Sequence, residues 1–493
     1  MKKSLLSYFF FMLLFSNFNC QKTSLDTSFG DNGMVTTPLF TPKAIKLQKD
    51  GKILVAGEFK RPVGTSSSYT NYIMYRFNTD GSVDEGFGTN GKVSGNASSN
   101  ETVMALYETQ DNKIVLVMKR TGPAIFKRFD SNGSMDTTLG SNGEKVFSLL
   151  SSSYSGLIDI AQRMILAEDN KIVLTGATHR FPIIPTIQAK PFSYVVRLNQ
   201  DFTLETTFNN IGYRKFENIF YDIGLVDIDK NGSITTGFKG TTIKILANGQ
   251  MDASFGNNGV KSLNPGSSIT VKHVRSDQNG NYILSGSMGG TDKRAFLMRY
   301  NPNGEVDSNY GSSGFAYIPN SSDSNETAMQ SMFFGNGKTL SAVDKFRNGF
   351  DFGLVFTNSN GSTDNSVGDQ GQIITEMDND QRISVIEKQA DGKILAAGYE
   401  SDRMILIRYD ISEILDVKLT ETNQSRIFPN PAKDHINIEA MKPLSDYVIR
   451  NSSGQIIVKG VAKDKKLKIN ISQYSTGIYY ITTSGGTFKF IKQ

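Results

Sequence analysis

Tyr75-Arg76-Phe77-Asn78-Thr79-Asp80-Gly81-Ser82-Val83-Asp84-Glu85-Gly86-Phe87-Gly88-Thr89-Asn90-Gly91 decides the fold. It reads as the end of a strand, a tight turn at Asp80-Gly81, and an aromatic peg at Phe87 set among glycines. Asp-Gly supplies the positive backbone dihedrals that hairpin turns need. The stretch recurs. Phe129-Asp130-Ser131-Asn132-Gly133 runs on to Leu139-Gly140, and Tyr300-Asn301-Pro302-Asn303-Gly304 runs on to Tyr310-Gly311.

Working outward, the peg falls at Phe29, Phe87, Leu139, Phe208, Phe255, Tyr310 and Val367. A second signature alternates with it. Asp50-Gly51-Lys52-Ile53-Leu54-Val55-Ala56-Gly57 is a turn followed by a short apolar strand. Its counterparts start at Asp111, Asp169, Asn231, Asn279, Asn336 and Asp391. Both signatures therefore occur seven times. The peg spacing runs from 47 to 69 residues, and the longest unit contains Phe181-Pro182-Ile183-Ile184-Pro185, an inserted loop. The runs between turns are short and rich in Ile, Val, Leu, Tyr and Phe, with no helical period. A unit of this length holds four short strands, the size of one propeller blade.

The ends of the array predict closure. The last unit stops at Ile407-Arg408-Tyr409-Asp410 and lacks the segment that follows elsewhere. That segment stands near the start of the chain as Leu25-Asp26-Thr27-Ser28-Phe29-Gly30. One copy is thus divided between the two ends of the array, as a ring without an open sheet edge requires. The expectation is an all-β chain: a seven-bladed β-propeller closed by its N-terminal strand, plus a small C-terminal β-sandwich.

The units resemble delta-60 repeats, a bacterial family, through L-D-T-S-F-G-x-N-G and D-G-K-I-L-V-A-G. The resemblance covers about residues 24–410 and implies a β-propeller without fixing an activity. Units four and six depart from the pattern: Asn231-Gly232-Ser233-Ile234 lacks the usual Lys, and Val367 replaces the aromatic peg.

After Asp410 the pattern stops. Residues 413–426 read as a linker, and residues 427–493 as a separate module of six or seven alternating strands. This module resembles the type A C-terminal sorting domain of the Bacteroidetes type IX secretion system. The resemblance rests on Pro429-Asn430-Pro431, a hairpin at Gly454, and Ser475-Thr476-Gly477-Ile478-Tyr479-Tyr480. It implies passage through the periplasm, handling by the type IX machinery, and display on the cell surface or release.

The first twenty residues suit this route. Lys2 and Lys3 precede an apolar run from Leu5 to Phe15, too short to span a bilayer and typical of a signal peptide over residues 1–20. The propeller would then occupy 21–412, with no transmembrane span in the mature chain. Cys20, the single cysteine, sits where a lipoprotein cysteine would, but Asn19 before it is not the small residue that processing prefers. One cysteine means no internal disulfide.

The net charge of +5 is unevenly placed. Residues 1–20 contribute +2 and residues 415–493 contribute +6, which leaves the middle region at −3. No domain-wide basic field supports nucleic-acid binding.

Candidate chemistry is sparse. A cation precedes the turn at Arg76, Arg128, Arg197, Lys244, Arg299 and Arg408, with Phe356 breaking the series. Six such cations could ring an axis and hold an anionic sugar; alternatively each clamps a carboxylate such as Asp84, Asp136, Asp252 or Asp307. Recurrence in nearly every unit favours the clamp. The Asn/Asp-rich turns resemble the start of a calcium loop but lack its closing Glu, and Asn and Asp favour such turns through local bonds. Otherwise no cofactor is expected. His179, His273 and His435 are isolated, and no metal spacing, nucleophile elbow or P-loop occurs. The expected function is therefore non-enzymatic binding of a macromolecule or glycan at the cell surface. The alternative is a polysaccharide hydrolase or lyase, marked by titratable residues that break the repeat at the channel mouth. The insertion at 178–193, with His179, Arg180 and Lys190, is one place to look.

Overall fold

The computed structural model describes residues 25–411 and 426–493. The exceptions are 64–66, 97–99, 121, 151–156, 168, 181–189, 218–224, 239–240, 263–268, 290–292, 320–324, 335–336, 347–348, 378, 402, 440–445, 452–454, 462–465 and 484–485. The expected signal peptide, Cys20, residues 413–425 of the linker and Gly454 lie outside the described residues. The chain divides into two compact units, Met1–Ile411 and Ser412–Gln493.

Among the described residues, the first unit holds seven four-stranded antiparallel sheets. Sheet 1 runs Thr41–Leu47, Ile53–Val63, Ser67–Phe77, Lys92–Ser94. Sheet 2 runs Glu101–Glu108, Ile114–Arg120, Ala124–Phe129, Glu144–Phe147. Sheet 3 runs Leu157–Leu166, Ile172–Arg180, Phe192–Leu198, Tyr213–Glu217. Sheet 4 runs Leu225–Ile228, Ile234–Phe238, Thr241–Ile245, Val260–Ser262. Sheet 5 runs Ile269–Ser276, Tyr282–Met288, Arg294–Tyr300, Phe315–Tyr317. Sheet 6 runs Thr327–Phe333, Thr339–Phe346, Phe350–Thr357, Gln372–Thr375. Sheet 7 is Arg382–Lys388, Ile394–Tyr399 and Arg403–Tyr409, and its fourth strand is Met34–Pro38 from the start of the chain. Met34 pairs with Ile407 and Pro38 with Arg403. Each first strand contacts the first strand of the next sheet, and that of sheet 7 contacts that of sheet 1. The sheets form a β-propeller, and units four and six each keep a four-stranded sheet.

The recurring turn and peg join one sheet to the next. Phe29, Phe87, Phe208, Phe255, Tyr310 and Val367 are fully buried, and Leu139 nearly so. Burying one large apolar side chain contributes about 1.5–3 kcal/mol. The residue after the peg donates its amide to the turn of the following unit: Gly30 to Asp80 at 2.7 Å, Gly88 to Asn132 at 2.8 Å, Gly256 to Asn303 at 2.9 Å and Gly311 to Asn360 at 2.7 Å. The peg ring lies against the turn glycine there. A Cβ on Gly133 would meet the Phe87 ring at 2.9 Å, and Gly133 has φ +87°. Both facts require glycine.

One turn breaks this rule. Phe202 occupies the glycine position with φ +64°. The peg that shares its core is Leu139, smaller than the aromatic pegs elsewhere, and the Phe202 ring stacks on Phe126 at 4.2 Å. The smaller peg leaves space for a side chain where other units have none.

The second unit holds two sheets. One contains Arg426–Phe428, His435–Glu439 and Lys466–Asn470; the other contains Ile456–Val461, Asp446–Asn451, Gly477–Thr483 and Gly486–Lys492. A single core draws Ile436, Ile438 and Ile469 from the first sheet and Ile449, Tyr479, Ile481 and Phe490 from the second. Pro429 and Pro431 both follow cis peptide bonds. Asn430 between them ties this segment to the last strand. It donates to the Lys489 carbonyl at 3.1 Å and accepts the Ile491 amide at 2.9 Å.

Candidate functional site

The six recurring cations are all engaged. The Arg76 Nε lies 2.7 Å from Asp84, Arg128 2.6 Å from Asp136, and Arg408 2.7 Å from Asp26. Arg299 lies 2.6 Å from Asp307, Lys244 3.7 Å from Asp252, and Arg197 4.0 Å from Glu205. The Lys of the second signature converges on the same carboxylates: Lys52 on Asp84 at 2.8 Å, Lys113 on Asp136 at 2.6 Å, Lys393 on Asp26 at 2.6 Å. In unit six, where Phe356 replaces the Arg, Lys338 alone pairs with Asp364 at 2.8 Å. Where the peg is aromatic the cation also covers it: Arg76 stands 4.5 Å from the Phe87 ring centre and Arg408 4.4 Å from Phe29. A third contact reaches the next unit's turn, as from Arg76 to the Ser131 carbonyl and from Arg408 to the Thr79 carbonyl at 2.6 Å. The donors of Arg76, Arg299 and Arg408 are thus divided among a carboxylate, a ring and a neighbouring turn.

The calcium-like turns spend their oxygens locally. Asp80 accepts the Ser82 amide at 2.9 Å and Asn132 accepts the Ser134 amide at 2.9 Å. Among the described residues no three His, Cys, Asp or Glu side chains group as metal ligands would.

A different set of residues breaks the repeat. Six of the seven first strands carry a β-bulge at the same place, as between Ala161 and Arg163 and between Val271 and His273. A bulge re-aims the side chains that follow it. Pairing with the second strands aligns the positions just after the bulge as Ala44, Ala105, Arg163, Val226, His273, Gln330 and Val385. Two residues on stand Lys46, Tyr107, Ile165, Ile228, Arg275, Met332 and Glu387. Most of these are apolar. The polar departures are Arg163, His273 and Gln330 in one tier, and Lys46, Arg275 and Glu387 in the other.

Four of these six departures meet. A cleft of about 880 Å³ is lined by His273, Arg275, Gln330, Met332 and Glu387, together with Lys388. His273 Nδ1 accepts the Ser331 amide at 3.5 Å, and Gln330 accepts the Ile386 amide at 2.9 Å. In each case a polar side chain of one first strand ties the first strand of the next sheet. With Nδ1 accepting, the neutral His273 ring carries its proton on Nε2. Burial, with the charges of Arg275 and Arg163, pushes the His273 imidazole down to about 3, so it is neutral at ordinary pH. Burial pushes the Glu387 carboxyl up, against the pull of Lys46 and Arg275. Asp227 is buried beside Arg275 at 3.5 Å, and it accepts the Ser276 amide at 2.6 Å. The charges of sheets 1, 3, 4, 5 and 7 thus act on one another around the first strands.

Sequence reasoning singled out His179, Arg180 and Lys190 at the insertion. Residues 181–189 of that loop lie outside the described residues. His179 and Lys190 are not among the residues lining the cleft, and of the six recurring cations only Arg299 is. His273 has no other histidine or cysteine near it in the sequence; in the fold the Ser331 amide and the Arg163 charge reach it from other units. The signal was present in the spacing: Lys46, Arg275 and Glu387 each stand five residues before a turn glycine, at Gly51, Gly280 and Gly392.

Comparison with known proteins agrees with the two-part organisation. Residues 426–493 match the secretion system C-terminal sorting domain, and residues 48–87 match a beta-propeller domain of unknown function. The chain is exported by type IX secretion, to the cell surface or beyond it. Among the described residues no helix is long and apolar enough to cross a membrane. No curated protein matches the chain. Solved structures that resemble it include the extracellular domain of a candidate one-component system from B. thetaiotaomicron (9% identity, TM-score 0.43, covering 96% of this chain). This chain spans 58% of that one. Virginiamycin B lyase from Staphylococcus aureus, solved with quinupristin, is 11% identical with a TM-score of 0.42, covering 76% of this chain and 98% of its own. PorZ, a surface component of the type IX secretion system of Porphyromonas gingivalis, is 11% identical with a TM-score of 0.30, covering 91% and 59%. At these identities no activity passes from them to this chain.

Proposed function

We propose that this chain is an exported seven-bladed propeller with a C-terminal β-sandwich, and that it binds a macromolecule or glycan without chemical turnover. The binding site in this reading is the cleft lined by His273, Arg275, Gln330, Glu387 and Lys388. The supporting observation is that polar residues replace apolar ones at equivalent first-strand positions, and that several of them line one cleft. A structural role would recur around the ring; a ligand site need not. By the same reasoning the six recurring cations hold the ring together, and no resident cofactor is required.

The test is a glycan and surface-protein screen of the mature chain, with product analysis of every hit. Binding with no product is the expected result, and absence of any binding partner overturns the proposal. Product formation would instead favour a hydrolase or lyase. The observation behind that second reading is the neutral His273 imidazole and the raised Glu387 carboxyl in the same cleft.

A further inference from the structure

Residues 21–414 carry a net charge of −3, yet three of the six residues that break the repeat are cationic. Lys46, Arg163 and Arg275 stand at departing positions, with Glu387 the one acid among them. The bulges add Lys43 and Lys272, both exposed. Lys43 faces Glu58 at 3.8 Å, and the Lys272 charge acts on Asp344. Within a middle region of net charge −3 this is a local concentration of cations, which attracts an anion more strongly than the net charge suggests.

Arg275 is the centre of this group. Its side chain is 50% exposed, and its ion pair to Asp227 is 3.5 Å long. The clamp arginines differ: Arg76 and Arg408 are 9% exposed and pair at 2.7 Å. A guanidinium has five donors in a planar fork, suited to a carboxylate or sulfate held by two bonds. Lys388 supplies a second charge on the wall, its ammonium 4.6 Å from the Phe334 ring centre. The remaining wall is rich in amides, including Asn279, Asn281 and Gln330. Gln330 spends its oxygen on the Ile386 amide, so its NH2 group remains as a donor toward ligand oxygens. The wall sets the cations Arg275, Arg299 and Lys388 beside the acids Asp277 and Glu387 among several amides, and such a polar wall with an excess of cations suits a hydroxylated, acidic chain.

We propose that the ligand of this cleft is an acidic glycan, its carboxylate or sulfate groups held by Arg275 and Lys388. The inference rests on the binding reading above. It places charge recognition on two residues outside the recurring clamp, and gives Glu387 the role of orienting Arg275 and Lys46 rather than opposing the ligand.

The experiment measures binding of the mature full-length chain to four probes: polygalacturonate, dextran sulfate, neutral dextran and a polyglutamate peptide. Polygalacturonate or dextran sulfate should bind, weakening as salt rises, and whichever binds more tightly identifies the anion. Arg275→Gln should weaken that binding about tenfold or more, the loss expected for one charge-assisted contact, while Arg275→Lys retains part of it. Arg275→Gln leaves the buried Asp227 carboxylate without its cation and should lower the melting temperature, whereas Arg275→Lys keeps the charge and should melt like the parent, so binding is measured well below both melting temperatures. Neutral dextran binding as well as the acidic probes, or an Arg275→Gln variant with unchanged affinity, overturns this inference and leaves the binding reading standing. Tighter binding of polyglutamate transfers the site to acidic peptides and overturns the glycan assignment. A chain that binds no partner in the broader screen overturns both.

Discussion

Arg408 donates to Asp26 at 2.7 Å across 382 residues of chain, so an ion pair joins the two ends of the propeller unit. The backbone supports it. The Asp26 amide donates to the Arg408 carbonyl at 2.9 Å, and the Arg408 amide to the Gly33 carbonyl at 2.9 Å. Burial pushes the Asp26 carboxyl up, but hydrogen bonds from Lys393 and Ser28 and the Arg408 charge outweigh it and hold Asp26 well below the usual carboxylate range.

Asp26→Ala should therefore destabilise the first unit by about 3 kcal/mol, because it leaves two buried or half-buried cations without their carboxylate. A depressed pKa confers stability that is complete above the unfolded value of about 4 and is lost as pH falls below it. The gap between parent and variant in thermal unfolding should thus be constant from pH 5 to 8 and narrow below pH 4. An unchanged melting temperature at pH 7 would show that closure does not depend on this clamp.

Gly133→Ala forces a Cβ to 2.9 Å from the Phe87 ring at φ +87°. It should cost about 2–4 kcal/mol from strain and overpacking together. The protein contains its own remedy in Leu139 and Phe202. Phe87→Leu leaves a cavity when made alone. Combined with Gly133→Ala, it should cost at least about 0.5 kcal/mol less than the sum of the two single changes in a double-mutant cycle read by denaturant unfolding. Simple additivity would mean that the peg and the glycine do not share space.

Asp344 joins sheets 6 and 7 by accepting the Ile383 amide at 3.0 Å and pairing with Arg382 at 3.2 Å. Burial pushes its carboxyl up to about 6, against the pull of Arg382. Between roughly pH 4 and 6 the folded chain keeps a proton that the unfolded chain has lost. The contribution of this group to stability accordingly falls as pH rises through that window and stays low above it. Asp344→Asn carries no charge to desolvate. Its unfolding free energy should lose about 2 kcal/mol less than the parent between pH 4 and pH 7. Parallel profiles for the two proteins would count against this.

Removal of residues 426–493 takes away the sorting domain and leaves the first unit entire. In the native host the shortened chain should accumulate in the periplasm, read by cell fractionation with surface labelling. Surface display of the shortened chain would show that export does not need the domain.

The repeat was legible because its turns and pegs are chemically conspicuous. Asp80-Gly81 and Phe87 have few other reasons to recur together, and Leu25–Gly30 matches the piece missing after Asp410. The sorting domain was legible for a similar reason, in the Pro429-Asn430-Pro431 segment. The cleft was not. Its residues sit on first strands that have no punctuation of their own. A bulge in those strands shifts the alternation of faces, so the face they share appears only once pairing is known, and the equal distance of Lys46, Arg275 and Glu387 from their turn glycines is the one trace of it in the sequence. His273 seemed isolated because Arg163 and Glu387, which act on the same space, come from units two places away on either side. The recurring cations are conspicuous in the sequence because each unit needs the same clamp.

The shared seventh sheet also sets an order of events. Its last strand in the chain ends at Tyr409, and the sorting domain begins only after that point. A chain that stops short of Tyr409 has an unpaired strand edge and no export address. A chain that carries the address also carries the strand needed to seal the circle. Because the address follows Tyr409, every chain that carries it has been translated past the last strand of the circle.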